Sequence, residues 1–391
     1  MTITKSDITH SARRLAAEFA TDAVERDRLG GTPKKQRDAL RNSGLLAMLI
    51  PEHLGGLGCS WQDIFAVTRE FARTDSSIAH VFGFHHLQLA TVRLFARQSQ
   101  WQPWFAHTAS RNWFWGNAMN ALDARLIARR HQGWYEFSGQ KSFCSGAPDS
   151  EMLIAAAMDE ESPQKMTMAV IPSSRTGITL HEDWNNIGQR QTDSGSVTFE
   201  RVRVETDELL RDPGPLSSPF ACLRQLISHL HFSNLFLGIT EGAFAEARQY
   251  TRKESRPWPL SPAVNSDNDP FILRHYGEFW VQLESTRLLV ERANSLLDSA
   301  WNKGLALTAS ERGHLALAIA TAKVAATRHG LAICSALFDV TGARATNASL
   351  GLDRYWRNLR TQTLHDPVDY RIYELGQWAL NEQFPTPSFY S

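Results

Sequence analysis

The sequence is short of the features that mark several large classes of protein. Its 391 residues include only four cysteines, Cys59, Cys144, Cys222 and Cys334, which lie far apart and form no Cys-x-x-Cys pair. This usage indicates neither a disulfide framework nor a zinc site. The 41 basic side chains equal the 41 acidic ones, so no excess charge predicts binding to nucleic acid or to an anionic membrane.

Long apolar runs and short catalytic signatures are also missing. No apolar run approaches the roughly 20 residues that span a bilayer, and the first seven residues contain no apolar signal core. We therefore expect a cytoplasmic protein with reduced cysteines and no membrane partner. The sequence has no His-Glu-x-x-His, no Gly-x-Ser-x-Gly, no Walker loop and no Gly-x-Gly-x-x-Gly. It therefore shows no signature of a zinc peptidase, a serine hydrolase or a dinucleotide-binding domain.

What is present is a change of pattern along a chain that is too long for one simple core. The first part has helical periodicity, the middle contains short β-rich runs split by glycine, proline and serine, and the last part returns to long periodic helices. We predict an α+β, mainly α fold. The domain limits are placed at residues 1–115, 116–213 and 214–391.

The β-rich runs of the middle part bring polar residues to their ends. The runs lie at residues 134–137, 152–158, 166–171, 178–181 and 197–204. Asn117, Ser145 and Trp184 fall where such runs end, and loops at these points often carry functional side chains. A structural role fits equally well, because Asn117 follows a glycine and Ser145 precedes one, which is ordinary turn chemistry.

Three long helices are predicted in the last part, at residues 226–252, 269–299 and 308–341. The third begins with a capping box from Thr308 to Glu311. The first two are joined by a proline-rich loop that contains Arg256. From this loop the arginine can reach a ligand or a neighbouring subunit, and a solvated loop explains it as well.

Residues 338–367 hold the greatest concentration of groups that carry chemistry. Arg344 follows a Thr-Gly break, and Pro367 should end a helix at about His365. A guanidinium offers fixed donors that suit a phosphate, and imidazole donates or accepts protons near neutral pH. Together they indicate an anionic cofactor and a proton-handling step. A surface turn with solvated arginines explains these residues about as well.

The order of helices, β-domain and helices, together with the segment from Gly44 to Gly58, resembles the acyl-CoA dehydrogenase superfamily. The resemblance covers essentially the whole chain. It implies an N-terminal α-domain, a middle β-barrel-like domain, a C-terminal four-helix bundle and a homotetramer with flavin near the subunit interfaces.

Six further motifs are similar to one branch of that superfamily, the reduced-flavin-dependent monooxygenases, which includes dibenzothiophene and alkylsulfur monooxygenases. The motifs are Phe114-Trp-Gly-Asn-Ala118, Phe143-Cys-Ser-Gly146, Asp183-Trp-Asn-Asn-Ile-Gly-Gln-Arg190 with Ser194-Gly195, Ser255-Arg-Pro-Trp258, Val340-Thr-Gly-Ala-Arg344, and Arg357-Asn-Leu-Arg360 with Leu364-His-Asp-Pro367. Their shared order points to the branch and leaves the substrate open.

This resemblance implies a set of flavin and active-site contacts. The set is Asn117, Ser145, Trp184, Arg256, Arg344 and His365. The two arginines would hold the flavin phosphate, and the tryptophan would pack against the isoalloxazine. Asn117, Ser145 and His365 are the implied catalytic residues. The first two would hydrogen-bond the ring edge or the peroxide. His365 would donate a hydrogen bond to, or protonate, a flavin C4a-hydroperoxide that passes its distal oxygen to sulfur.

Three positions depart from the patterns of the superfamily. The glutamate base of the dehydrogenases is missing, and Asp366 is not assigned that role because Pro367 constrains it. Gln362 stands where the monooxygenase branch often has histidine, and Phe84 where it often has tyrosine. Glutamine is no acid at neutral pH. We therefore do not carry the dibenzothiophene substrate over to this chain.

The resemblance favours a two-component, FMNH2-dependent monooxygenase that oxygenates a small organosulfur compound in sulfur scavenging. A separate NAD(P)H:flavin reductase would supply the FMN in reduced form, since the chain lacks a nicotinamide-binding motif. Two alternatives remain open. One is an FAD-dependent acyl-CoA dehydrogenase, and the other is a flavin-binding, nucleic-acid-associated stress protein, which the balanced charge disfavours.

Overall fold

The computed structural model describes residues 4–162 and 164–389, and its N-terminal part is helical. The helices there are α1 (Ile8–Ala20), α2 (Ala23–Leu29), α3 (Lys34–Ser43), α4 (Trp61–Ala72), α5 (Ser76–Phe95) and α6 (Gln98–Arg111). Helix α5 is buried on all sides because it lies between α4, α7 and the first strand. This explains why its sequence shows almost no amphipathic pattern.

The middle part is a seven-stranded sheet that curves into half a barrel. Its strands are β1 (Trp115–Ala118), β2 (Ile127–Arg130), β3 (Trp134–Lys141), β4 (Met152–Asp159), β5 (Met166–Pro172), β6 (Ile178–Leu180) and β7 (Val197–Glu205). The order is β1-β4-β2-β3-β7-β6, with β5 paired antiparallel to β4. One face covers a separate apolar core that includes Leu126, Phe137 and Phe199.

The five predicted β-rich runs are strands in the structure, but β1 and β2 were missed. Both contain only four residues, and β1 reads Trp-Gly-Asn-Ala, in which glycine and asparagine are poor strand formers. The turn interpretation of Asn117 is therefore wrong. The residue lies inside β1, opposite Ile154 of the parallel strand β4.

The C-terminal part is a helical bundle made of α7 (Leu223–Lys253), α8 (Pro270–Lys303), α9 (Ala309–Thr341), α10 (Asp353–Thr363) and α11 (Val368–Asn381). Helix α9 packs against the other four. It starts at the predicted capping box, where the Glu311 amide donates to the Thr308 hydroxyl at 3.2 Å. Helix α10 ends two residues before His365, and Pro367 is the N-cap of α11, so the predicted break is confirmed.

The predicted mainly helical α+β fold is confirmed. The domain limits at residues 1–115, 116–213 and 214–391 stay a prediction, and strand β1 begins at the first of them. Within the described residues, no helix has both the length and the apolar character needed to cross a membrane.

A buried arginine joins the N-terminal helices to the β-domain. The side chain of Arg37, on α3, is inaccessible to solvent and donates to the Asp193 carboxylate at 2.8 Å. It also donates to the carbonyl oxygens of Gly146, at 3.1 Å, and Asp149, at 2.8 Å. These contacts fix the loop that follows β3 and the loop that precedes β7. Both loops carry residues of the cavity described next.

Candidate functional site

A cavity of about 720 Å³ is lined by residues from all three parts of the chain. Four of the six predicted contact residues line it, namely Asn117, Ser145, Trp184 and His365. Its volume lies within the range of pockets that enclose cofactors and drug-sized ligands, which is roughly 300–1,000 Å³. The structure therefore brings together residues that are up to 248 positions apart in the sequence.

Asn117 is held at the cavity by hydrogen bonds on both its backbone and its side chain. Its backbone N–H donates to the carbonyl oxygen of Ser145 at 3.0 Å. Its side-chain oxygen accepts from the amide of Gln88 at 3.4 Å. The side-chain nitrogen of Asn117 has no hydrogen-bond partner among the described residues, so this buried donor is available to a ligand.

Ser145 stands in a chain of hydrogen-bonded groups. Its hydroxyl lies 3.1 Å from Nε2 of His80 and 2.8 Å from the hydroxyl of Ser194, which in turn lies 2.7 Å from that of Thr192. Burial, followed by the proximity of His231, lowers the pKa of His80 well below its usual value. His80 is therefore neutral at physiological pH, and its hydrogen bond with Ser145 involves an uncharged imidazole.

His80 was missed by the sequence analysis. It lies on α5 one helical turn before Phe84, the position at which the sequence departs from its branch, and both residues line the cavity. Their rings are 4.1 Å apart. The i, i+4 spacing from Phe84 was the signal that could have identified His80.

Trp184 forms part of the cavity wall. Its indole N–H donates to the carbonyl oxygen of Gln189 at 2.8 Å, and the ring meets the ring of Phe143 edge-on at 5.8 Å. The two contacts fix the orientation of a half-buried indole. An immobilised aromatic wall next to the polar groups of Asn117 and Ser145 suits a flat heteroaromatic ligand with a polar edge.

His365 lies in the short segment between α10 and α11. Its Nδ1 is 3.1 Å from the carboxylate of Asp366, and its ring is 4.6 Å from that of Phe232. Its side chain is 37% exposed, so the imidazole remains accessible to a ligand. Asp366 itself accepts a hydrogen bond from Lys323, so its carboxylate is already paired with a cation.

The structure does not bring Arg256 and Arg344 to this cavity. Both are exposed. Arg344 donates to the carbonyl oxygen of Glu254, and the hydroxyl of Ser255 donates to that of Thr341 at 3.1 Å. The two arginines therefore share one outer surface at the ends of α7 and α9.

The charges that line the cavity are all basic. Among the described residues the lining includes the arginines Arg224 and Arg360 and no aspartate or glutamate. Arg224 donates to the side-chain oxygen of Gln225 at 3.1 Å. Gln362 and Phe84, the two departures from the monooxygenase pattern, also line the cavity.

This architecture of helical domain, sheet and helical bundle is matched by family models over most of the chain. The acyl-CoA dehydrogenase N-terminal, middle and C-terminal domain models match residues 3–112, 115–202 and 230–370. The chain belongs to the acyl-CoA dehydrogenase family.

Within that family the chain belongs with monooxygenases. It is 72% identical over 380 residues to the probable FMNH2-dependent monooxygenase SfnC of Pseudomonas putida, covering 97% of this chain and 96% of the relative. It is 41% identical over 394 residues to a dibenzothiophene monooxygenase of Rhodococcus qingshengii, and this match covers 97% of this chain and 94% of the relative.

A solved structure of methanesulfinate monooxygenase MsuC from Pseudomonas fluorescens is 68% identical. The two structures superpose with a TM-score of 0.97, and the match covers 98% of this chain and 99% of the MsuC chain. TdsC from Paenibacillus, solved with FMN and indole, is 41% identical in sequence and superposes with a TM-score of 0.93. The match covers 98% of this chain and 100% of the TdsC chain.

Proposed function

We propose that this protein is a two-component monooxygenase that uses reduced FMN to oxygenate a small organosulfur compound. The observation that carries the proposal is the meeting of Asn117, Ser145, Trp184 and His365 in one cavity of about 720 Å³. The relatives named above support it, because they include an FMNH2-dependent monooxygenase, a methanesulfinate monooxygenase and an FMN-bound enzyme.

The residues present fit a flavin. Asn117 offers an unused buried donor, Ser145 a hydroxyl and Trp184 an aromatic wall. When bound, reduced FMN supplies two electrons, so that one oxygen atom of O2 is reduced to water and the other is transferred to the substrate. The chain's own groups orient the ring edge, exclude bulk water from an apolar cavity and handle a proton at His365.

The charges of the cavity support oxygenation over dehydrogenation. An acyl-CoA dehydrogenase needs a carboxylate that removes the α-proton of its thioester, yet no described residue lining the cavity is acidic. The carboxylate of Asp366, the nearest candidate in the sequence, already contacts Lys323 and His365. The basic lining instead favours an anionic sulfur compound, such as a sulfinate, among small organosulfur substrates.

The substrate class is tested by supplying reduced FMN from a NAD(P)H:flavin reductase, the functional partner we propose, in the presence of catalase. We expect an alkyl sulfinate, sulfone or sulfide to be oxidised with a matching consumption of oxygen. Dibenzothiophene serves as the comparison, and omission of the reductase as the control. Absence of any oxygenated sulfur product would overturn the proposal. Reduction of bound FAD by an acyl-CoA would then support the dehydrogenase.

The positions of Arg256 and Arg344 support a homotetramer in which one subunit completes the flavin site of another. Both side chains are exposed and lie outside their own cavity, so they reach a flavin phosphate only from a neighbouring subunit. Guanidinium groups suit this contact because they offer paired, permanently charged donors.

The variant Arg344→Gln is expected to weaken FMN binding roughly tenfold or more, since a charge-assisted hydrogen bond contributes about 1.5–3 kcal/mol. Riboflavin, which has no phosphate, should bind the variant and the wild type equally. Quenching of flavin fluorescence measures both affinities. Arg129→Gln, an exposed arginine of the β-domain, is the matched control. An equal loss for both flavins would contradict the phosphate contact.

A further inference from the structure

Behind His365, three buried polar side chains from three different segments meet. Lys323 of α9 places its ammonium 2.8 Å from Nδ1 of His229, on α7, and donates a hydrogen bond to Asp366. The Asp366 carboxylate then lies 3.1 Å from Nδ1 of His365. The side chains of His229, Lys323 and Asp366 are 2%, 4% and 10% exposed, so the group is shielded from water.

Stability alone does not account for this group. The free energy needed to remove a lysine and an aspartate from water often exceeds the free energy gained from their attraction, and packed apolar side chains are often the more stable alternative. Helix α9 is rich in alanine around Lys323 and packs closely on α7. A charged pair inside an otherwise apolar helix contact therefore calls for a functional reason.

The carboxylate of Asp366 stays ionised in this setting. Burial opposes its ionisation, but the hydrogen bond from His365 and the charge of Lys323 outweigh burial and hold its pKa far below the usual range. Burial lowers the pKa of Lys323 to about 8, so the lysine is mostly protonated at neutral pH. The pair is therefore an ion pair under physiological conditions.

An ionised carboxylate only accepts hydrogen bonds, so Nδ1 of His365 is the donor in the contact. The neutral imidazole then carries its proton on Nδ1 and leaves Nε2 as the unprotonated nitrogen. We propose that Lys323 and Asp366 are positioning residues that hold His365 in this Nδ1–H tautomer, with Nε2 as the proton acceptor offered to the cavity. The catalytic consequence rests on the proposed function, whereas the tautomer does not.

The ion pair has further charged neighbours. Arg371, on α11, has its Nε 4.0 Å from the Asp366 carboxylate and binds Glu374 at 2.8 Å. The other groups that face the pair are His229 from α7 and His365 itself. The Phe232 ring, whose centroid is 5.6 Å from the lysine nitrogen, closes the apolar side.

The tautomer is tested directly with protein labelled with ¹⁵N at histidine and loaded with no flavin. The His365 resonances are assigned by their absence in His365→Gln. In the neutral imidazole of the wild type we expect a protonated Nδ1 and an unprotonated Nε2. In Asp366→Asn the side-chain amide can donate, so we expect protonation to move towards Nε2. A wild-type Nε2–H tautomer, or no change in Asp366→Asn, would overturn the proposal.

The role of Lys323 is tested with Lys323→Met and the charge-preserving Lys323→Arg. We expect the methionine variant to hold Asp366 and the imidazole less firmly and to lower kcat roughly 10- to 100-fold, the range seen when a partner that orients a metal-bound imidazole is removed. KM should change little. Lys303→Met, an exposed lysine of α8, is the matched control and should resemble the wild type.

The pH dependence of kcat gives a separate readout. Lys323 carries its charge below a pH of about 8 and loses it above. Loss of the charge weakens the attraction that holds the Asp366 carboxylate beside His365, so kcat in the wild type is expected to fall on the alkaline side of that pH. In Lys323→Arg the charge persists, so the alkaline fall should move to higher pH. An unchanged profile would contradict the role of Lys323. If no substrate is oxidised at all, the proposed function fails while the NMR result still decides the tautomer.

Discussion

Replacing His365 by phenylalanine is expected to lower kcat by roughly 10²–10³, the effect of removing one preorganised polar group from an active site. Phenylalanine preserves the volume of the ring and its packing on Phe232, which lies 4.6 Å from the imidazole. It removes both nitrogens, so no proton is handled at this position. Flavin affinity should fall far less than kcat, because Asn117, Ser145 and Trp184 are unchanged.

Steady-state kinetics with reduced FMN, scored as sulfur product formed per oxygen consumed, measure this effect. The control is His107→Phe, which makes the same change at an exposed histidine of α6. Flavin binding is measured separately to show that the site remains intact. Equal kcat values in the two variants would remove His365 from the proposed mechanism.

The second large effect is expected at Arg37, whose replacement by methionine should destabilise the protein by about 3–5 kcal/mol. The loss leaves the Asp193 carboxylate buried, and among the described residues only the hydroxyl of Thr32 remains as a side-chain partner. The carbonyl oxygens of Gly146 and Pro148 lose their guanidinium donor as well, whereas that of Asp149 keeps a hydrogen bond from Arg41. Buried acceptors without donors are costly because water no longer solvates them.

Urea denaturation at neutral pH compares Arg37→Met with Arg28→Met. Arg28 forms an ion pair with Glu25 in which both side chains are more than half exposed, so its loss should destabilise the protein far less than the loss of Arg37. Adding Asp193→Asn to the Arg37 variant should recover part of the stability, since a neutral amide is less costly to bury than an unpaired carboxylate. Similar losses at Arg37 and Arg28 would refute the structural role.

The fold was predictable wherever local signals agree with tertiary structure. The capping box at Thr308 and the proline at Pro367 marked helix limits that the structure confirms, because both act through neighbouring backbone groups. Strand β1 was missed since pairing with β4, and not its own sequence, makes it a strand.

The site was predictable only through family resemblance. Four of the residues implied by it line one cavity, Arg256 and Arg344 lie outside it, and all six stay predicted contacts. His80 and Lys323 were missed for a physical reason. Each lies on a helix buried by distant segments, and its partner is 65 or 43 residues away. The i, i+4 spacing from Phe84 places His80 on the same helix face, but no local pattern reveals either hydrogen-bond partner.

The outward position of Arg256 and Arg344 has a consequence for the assembly as a whole. If each flavin phosphate is held by the neighbouring subunit, the same arginines contribute both to cofactor affinity and to association of the chains. A ligand that binds only the assembled form stabilises that form by mass action. Flavin would then promote assembly, dilution of the protein would release flavin, and the concentration of reduced FMN in the cell would help to set how much of the protein is assembled.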